Sequence, residues 1–300
     1  MKVKKNIQLQ PRPSQELSNW KWIVPVSFIL TWSSGAIFVK LGLEYANAFT
    51  FVFLRFLLST ALLWGICLML RSTYPKTVKE WGYIVLTGLL LQAGYQIFYF
   101  FALDQHMSPG ILAIILGAQP IITAFFGETK TRYYQWLGLF LGLSGLILVV
   151  ADNISKPNFT LYSLISAILC LVCITIGTFM QKQIQISQPI NMAIQYSGGL
   201  LMILMLLPFF GGWHVQWNFT FLFSLFWMAF VISVGASMIL YFMIRKGNLT
   251  NVTSLLYGVP PVTALLDYII FKNQLSLVAC LGMVFIIVGL FLINRQGKVV

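Results

Sequence analysis

At 300 residues the chain is as long as about two soluble domains, yet 59% of it is hydrophobic and only 9% charged, against about 25% charged in a soluble domain. So few charges cannot cover a water-facing surface, which leaves lipid as the solvent and excludes a soluble enzyme, a disordered chain and a nucleic-acid-binding module. The net charge of +12, from 19 Lys+Arg against 7 Asp+Glu, is spread between apolar runs as membrane topology demands and forms no basic stripe.

Residues 1–21 are polar, basic and proline-containing and read as a short cytoplasmic tail. The apolar run that follows, 22–43, is too long for the core of a signal peptide and has no small-residue cleavage site, so it is expected to stay as a membrane helix. Crossing about 30 Å of hydrocarbon takes about 20 helical residues. Nine further runs meet that length: 49–70, 81–103, 107–127, 133–151, 159–181, 190–209, 219–243, 250–271 and 275–294. Turn or charge signals divide them, among them Tyr45-Ala46-Asn47, Asp104-Gln105-His106 and Arg245-Lys246-Gly247-Asn248. The expected fold is therefore an all-α, ten-span integral protein of the inner (plasma) membrane. With both termini in the cytoplasm, 15 of the 19 Lys and Arg fall on that side. Only Lys156 and Lys272 then fall outside, and Lys40 and Arg55 lie within helices, a strong positive-inside bias. Cys67, Cys170, Cys173 and Cys280 all lie in apolar runs and are expected to be reduced thiols.

The chain repeats itself at a spacing near 142. Gly35-Ala36-Ile37-Phe38-Val39-Lys40 aligns with Gly177-Thr178-Phe179-Met180-Gln181-Lys182, and Tyr99-Phe100 with Tyr241-Phe242. Pro120-Ile121-Ile122-Thr123-Ala124 aligns with Pro260-Pro261-Val262-Thr263-Ala264, and Gly138 and Gly145 recur as Gly282 and Gly289. The expected organisation is a repeat over 22–151, a linker at 152–158, a second repeat over 159–294 and a tail at 295–300. Five crossings per copy turn the second copy upside down, the arrangement that lets two halves exchange conformations in alternating-access carriers.

With these features the sequence resembles the drug/metabolite transporter superfamily, in particular its EamA-domain members. Leu30-Thr31-Trp32-Ser33-Ser34-Gly35-Ala36-Ile37-Phe38-Val39-Lys40 is similar to that family's first-helix motif, with Ser33 where Gly is usual. Phe53-Leu54-Arg55-Phe56 resembles its second-helix Arg-Phe, Pro120 and Pro261 its mid-helix prolines, and Glu128 the acidic residue after its fourth helix. Lys272-Asn273 departs from the Gly-Glu common at the corresponding place. The resemblance covers residues 22–295 and implies a ten-helix carrier that exports amino acids or other small metabolites across the bacterial inner membrane.

Polar residues inside membrane helices normally face a bundle interior or a wet cavity. In the third run Gln92, Tyr95, Gln96 and Tyr99 share one helical face, and in the eighth Ser233, Ser237 and Tyr241 do the same. Trp32 and Ser33 lie near mid-membrane in the first run, where a Trp is out of its usual interfacial place. Gln119-Pro120 and Pro260-Pro261 interrupt the fourth and ninth runs, a mark of binding sites or hinges. The expected substrate-binding set is thus Trp32, Ser33, Gln92, Tyr95, Gln96, Tyr99, Gln119, Ser237 and Tyr241, with hinges at Pro120, Pro260 and Pro261. Lys40, Glu44, Arg55 and Asp267 stand near the outer helix ends, and their charges cancel. Arg55 is expected either to pair with Asp267 or Glu44 as an outer gate, or to bind a substrate carboxylate.

No P-loop is present, the two histidines His106 and His214 sit in different loops, and Cys170-x-x-Cys173 lacks a partner pair. No catalytic residue, metal or cofactor is therefore expected. The function expected is a secondary transporter that exports amino acids or similar amphipathic metabolites. The alternative is an uptake permease or exchanger for a nucleotide-like metabolite; an intramembrane enzyme and a non-transporting scaffold are the rivals from other classes. The expected partners are a small-molecule substrate and the bilayer, with no nucleic acid, and a monomer suffices.

Overall fold

The computed structural model describes residues 15–71, 73–127, 131–151, 160–209, 213–272 and 275–295, with side chains from residue 23 onward. Glu128 and Asn273 lie outside the described residues. Ten helices are long and apolar enough to cross a membrane. They are α1 (Ile23–Leu43), α2 (Ala48–Met69), α3 (Val78–Asp104), α4 (Pro109–Phe126) and α5 (Tyr133–Val150). The second five are α6 (Leu161–Gln183), α7 (Gln188–Phe209), α8 (Phe219–Lys246), α9 (Leu249–Phe271) and α10 (Leu277–Asn294). The helix containing α1 begins at Gln15, inside the segment expected to be a tail. Apolarity marks where a helix enters lipid, whereas Gln15–Lys21 simply holds nothing that would stop a helix.

Short polar caps explain the tight loops. Asn47, Ser108, Thr160, Asn218, Asn248 and Ser276 each accept a hydrogen bond from the backbone N–H three residues on, at Thr50, Ile111, Ser163, Phe221, Asn251 and Ala279. Each cap satisfies a donor that would otherwise be orphaned at a helix start.

Four helices depart from regular α geometry in their interiors, in matched pairs, and α7 ends in a 3-10 turn at Leu207–Phe209. α3 widens into a π-helical turn at Leu89–Gly94, and α8 does so at Trp227–Ala236. α4 breaks at Gly117-Ala118 and restarts at Gln119, while α9 tightens to a 3-10 turn at Leu255–Gly258 and restarts at Val259. Pro120 and Pro260 therefore stand in the first turn of a new segment, where a missing N–H leaves no bond broken.

The two five-helix halves pack with an internal two-fold relation. α3 lies on α6 and α7 as α8 lies on α1 and α2, and α1 meets α9 as α6 meets α4. Equivalent places touch each other where such an axis would pass. Phe56 and Tyr196, each the ninth residue of its helix, meet edge to face at 5.3 Å, and Tyr257 of the α9 break donates to the Gly117 carbonyl of the α4 break at 2.7 Å. The α5–α10 seam is the closest. A Cβ placed on Gly138 would fall 2.6 Å from the Gly289 carbonyl oxygen, and one on Gly145 would fall 2.5 Å from that of Gly282. Small residues permit that approach of two membrane helices.

Ten crossings leave both ends of the described chain on one face. On it, Lys182 donates to the Gly247 carbonyl, and Arg245 donates to the carbonyls of Ile186 and Gln185 at 2.9 Å each. On the far face, the backbone of Gln216 donates to Tyr45 at 2.8 Å, joining the α1–α2 and α7–α8 loops. Single cysteines at Asp104 and His214 are expected to react with an impermeant maleimide on intact cells, and those at Lys79 and Lys246 only after permeabilisation. Reversed labelling at any of the four would overturn the orientation inferred from the charges.

Candidate substrate pathway

The π-helical turn of α8 sets the first part of the site. An extra residue per turn shifts the backbone ladder, and here Ser233 offers both its hydroxyl and its carbonyl to other helices. Arg55 of α2 donates through Nε to Ser233 Oγ at 2.7 Å, while Tyr196 of α7 donates to the Ser233 carbonyl at 2.9 Å. One turn further along α2, Ser59 donates to the Ala229 carbonyl at 3.1 Å. Arg55 is half-buried within the bundle and keeps part of its surface accessible. Phe56 lies 5.6 Å from its guanidinium, and the phenols of Tyr196 and Tyr95 are close enough to feel its charge.

From there toward the face carrying the termini runs a chain of neutral side chains. Gln92, in the π-helical turn of α3, donates to the Tyr241 hydroxyl at 2.7 Å, and Tyr241 donates to Gln195 Oε1 at 2.9 Å. Gln195 Nε2 reaches both Gln181 Oε1 at 2.7 Å and Asn191 Oδ1 at 2.8 Å, and Asn191 donates to Gln188 at 3.4 Å. Gln92, Tyr241, Gln195, Asn191 and Gln181 are all buried. Four helices from both halves, α3, α6, α7 and α8, are thus tied through amides and one phenol. Unpaired amides would be costly in lipid, so the arrangement closes the interior on that side by satisfying them mutually. Gln181 Nε2 is the exception, a buried donor without a partner among the described residues.

Of the residues expected from the sequence, Gln92 and Tyr241 come together directly. Gln119 instead bonds Thr178 of α6 at 3.1 Å, which ties down the restart of α4. Ser33 bonds the Ile29 carbonyl at 2.6 Å and the Val259 carbonyl at 3.2 Å, doing the same for α9. Ser237 bonds back to Ile232, the Tyr95 and Tyr99 rings meet at a tilt 6.0 Å apart, and half-buried Gln96 makes no side-chain hydrogen bond among the described residues. Trp32 packs on Phe28 at 5.3 Å within the apolar core. Asn191, Gln195, Gln181 and Tyr196 were not foreseen, although Gln188, Asn191 and Gln195 repeat the 3–4–7 spacing that singled out the third run.

The charged set is divided. Lys40 pairs with Asp267 at 3.4 Å and covers the Phe271 ring at 3.9 Å, linking α1 to α9 across the two halves. Arg55 does not reach either carboxylate: its side chain turns inward to Ser233, whereas Asp267 is taken up at the helix ends by Lys40. The Lys40–Asp267 groups are 51% and 29% exposed, so the pair is expected to contribute no more than about 1 kcal/mol. Asp267→Asn should accordingly move the melting temperature by no more than a few degrees, read by thermal unfolding in detergent. A larger loss would mean that the pair bears on the fold itself.

Comparison with known proteins bears on what such a pathway does. A transporter of Archaeoglobus fulgidus, itself uncharacterized, is 23% identical over 89% of this chain and 95% of its own length. The uncharacterized transporter YvbV of Bacillus subtilis is 22% identical over 90% of each chain, and a chloroplastic WAT1-related protein of Arabidopsis thaliana is 24% identical over 91% of this chain and 69% of its own. A protein of known crystal structure shares the fold with a TM-score of 0.76, at 17% identity, over 91% of this chain and 97% of its own. The sequence pattern of one family matches twice, over residues 20–151 and 161–295. This multi-pass membrane chain belongs to the EamA-like transporter family, within the drug/metabolite transporter superfamily that its motifs resemble.

Proposed function

We propose that the chain is a secondary carrier that exports amino acids or similar small amphipathic metabolites by alternating access, with both termini in the cytoplasm. The observation that carries this reading is the buried Gln92–Tyr241–Gln195–Gln181 chain, which joins the two halves toward the face carrying the termini. Arg55 and Gln195 are each the eighth residue of α2 and α7, so the two halves place a charge and a neutral amide at equivalent steps. Breaking the amide chain and closing the crevice at Arg55 would exchange the side to which the path opens, as inverted halves permit.

Flux through the purified protein as sole component of proteoliposomes tests the reading. Radiolabelled amino acids are expected to show counterflow well above protein-free vesicles, and Gln92→Leu is expected to reduce it about tenfold or more, equivalent to 1.4 kcal/mol. Folded protein that moves none of a broad panel of amino acids and related metabolites would refute it.

A further inference from the structure

Arg55 is a charge that its surroundings do not neutralise. Among the described residues no carboxylate oxygen lies within ion-pair distance of it: of the two acidic groups near the outer helix ends, Asp267 is engaged by Lys40 and Glu44 is exposed. A lone cation at this depth is expensive unless water or an anion reaches it. Its Nε is held by Ser233 at 2.7 Å and the Tyr196 hydroxyl lies within hydrogen-bonding reach of the guanidinium, so the groups that orient it are neutral and leave its charge unbalanced. Two parallel N–H donors in a fixed plane match the two oxygens of a carboxylate. Around them stand aromatic groups, Phe56 and Tyr196 in edge contact and Tyr95, whose ring meets that of Tyr99 at a tilt.

We propose that Arg55 is the anchor for the carboxylate of the transported molecule, seated against Ser233 with the aromatic rings around its body. This rests on the transport reading but narrows it: the substrate class is a small carboxylate with an apolar or aromatic body. It also explains the unequal halves. At the equivalent step Gln195 finds all its partners within the protein, whereas Arg55 finds its partner in the cargo. Paired with that carboxylate, the Arg55 charge is no longer a lone ion when the path closes around the cargo.

Equilibrium binding, independent of transport, provides the test. The purified protein is titrated with phenylacetate, L-phenylalanine, L-phenylalaninamide and phenethylamine at constant ionic strength, with sodium chloride as the anion control, and melting temperature and tryptophan fluorescence are read. Phenylacetate, L-phenylalanine or both are expected to raise the melting temperature, and the two compounds without a carboxylate are expected to give less than a tenth of the affinity. Response to L-phenylalanine alone would assign the carboxylate to an amino acid, and response to both would assign it to organic acids in general. Arg55→Gln should weaken binding at least tenfold while keeping a single folded peak on size exclusion, and Arg55→Lys should retain part of it. If Arg55→Gln misfolds, Ser233→Ala offers a second reading, with an expected several-fold loss from the freed guanidinium. Equal binding of the amide or amine, an equal effect of chloride, unchanged affinity in Arg55→Gln or Ser233→Ala, or no response to either carboxylate at 10 mM (about the weakest useful affinity) would overturn the proposal. Binding without flux would leave this site standing and remove the transport reading instead.

Discussion

Gly145→Leu is expected to prevent stable folding, or to lower the melting temperature by more than 10 °C in a scan where each kcal/mol moves a domain of this size by about 2–4 °C. The cause is backbone contact: even the first carbon of a side chain would lie 2.5 Å from the Gly282 carbonyl oxygen and 2.9 Å from the Ile286 nitrogen. Neither can rotate away as a side-chain tip can, so α5 and α10 must separate along the whole seam. Ordinary overpacking costs about 1–3 kcal/mol, and a displaced helix pair exceeds it. Gly65→Leu and Gly82→Leu supply the control, because a Cβ at either meets nothing within 4 Å. Fluorescence-detected size exclusion would separate the outcomes. A monodisperse Gly145→Leu protein with unchanged melting would show that the seam is looser than described.

Tyr241→Phe is expected to shift the balance between conformations at least tenfold toward one open on the face carrying the termini. Loss of a single hydroxyl strands Gln92 Nε2 and removes the hydroxyl that donates to Gln195 Oε1, both buried. A buried polar group left unsatisfied costs about 1–3 kcal/mol, and 1.4 kcal/mol already amounts to a factor of ten. Water can repair the loss only where the path is open, so the penalty falls on the closed state. A cysteine at Gln188, beside the amide chain, should therefore react with maleimide faster in the Tyr241→Phe background. The triple change Gln92→Leu, Tyr241→Phe and Gln195→Leu should return the rate only part of the way to that of the parent, since it removes the stranded groups of Gln92 and Gln195 but takes away the donor to Asn191 Oδ1. A lower melting temperature with unchanged labelling would instead make the chain a general packing element.

How much of this was legible beforehand follows from what the bilayer dictates. Each expected apolar run contains or overlaps one of the ten helices within a few residues, because hydrocarbon thickness sets both length and composition. The glycine pairs Gly138/Gly145 and Gly282/Gly289 were visible as a repeat, although not as mutual contacts. What composition leaves open is the rotation of each helix about its own axis. That rotation decides whether Lys40 or Arg55 meets Asp267, and nothing in an apolar run with charges near its ends specifies it. The π-helical turns at Leu89–Gly94 and Trp227–Ala236 add a local change of phase, so a face counted at 3.6 residues per turn places Gln92 with Tyr241 but leaves Gln96 aside. Gln188, Asn191 and Gln195 were readable by the same spacing, and went unread because they adjoin the Lys182–Pro189 break.

The α5–α10 seam also bears on how the protein is made. Its contacts join Gly138 to Gly289 and Gly145 to Gly282, residues about 140–150 positions apart. At about 5–20 residues per second of synthesis, α5 waits roughly 7–30 s in the bilayer before α10 exists. During that interval lipid, or another half-made chain, covers the glycine face. Assembly is then governed by the last helix to emerge: a nascent chain stalled before Leu277 holds nine spans without the partner of its tightest contact. Quality control at the membrane would meet such a chain as an exposed glycine groove, and translation rate over the second half becomes a determinant of yield.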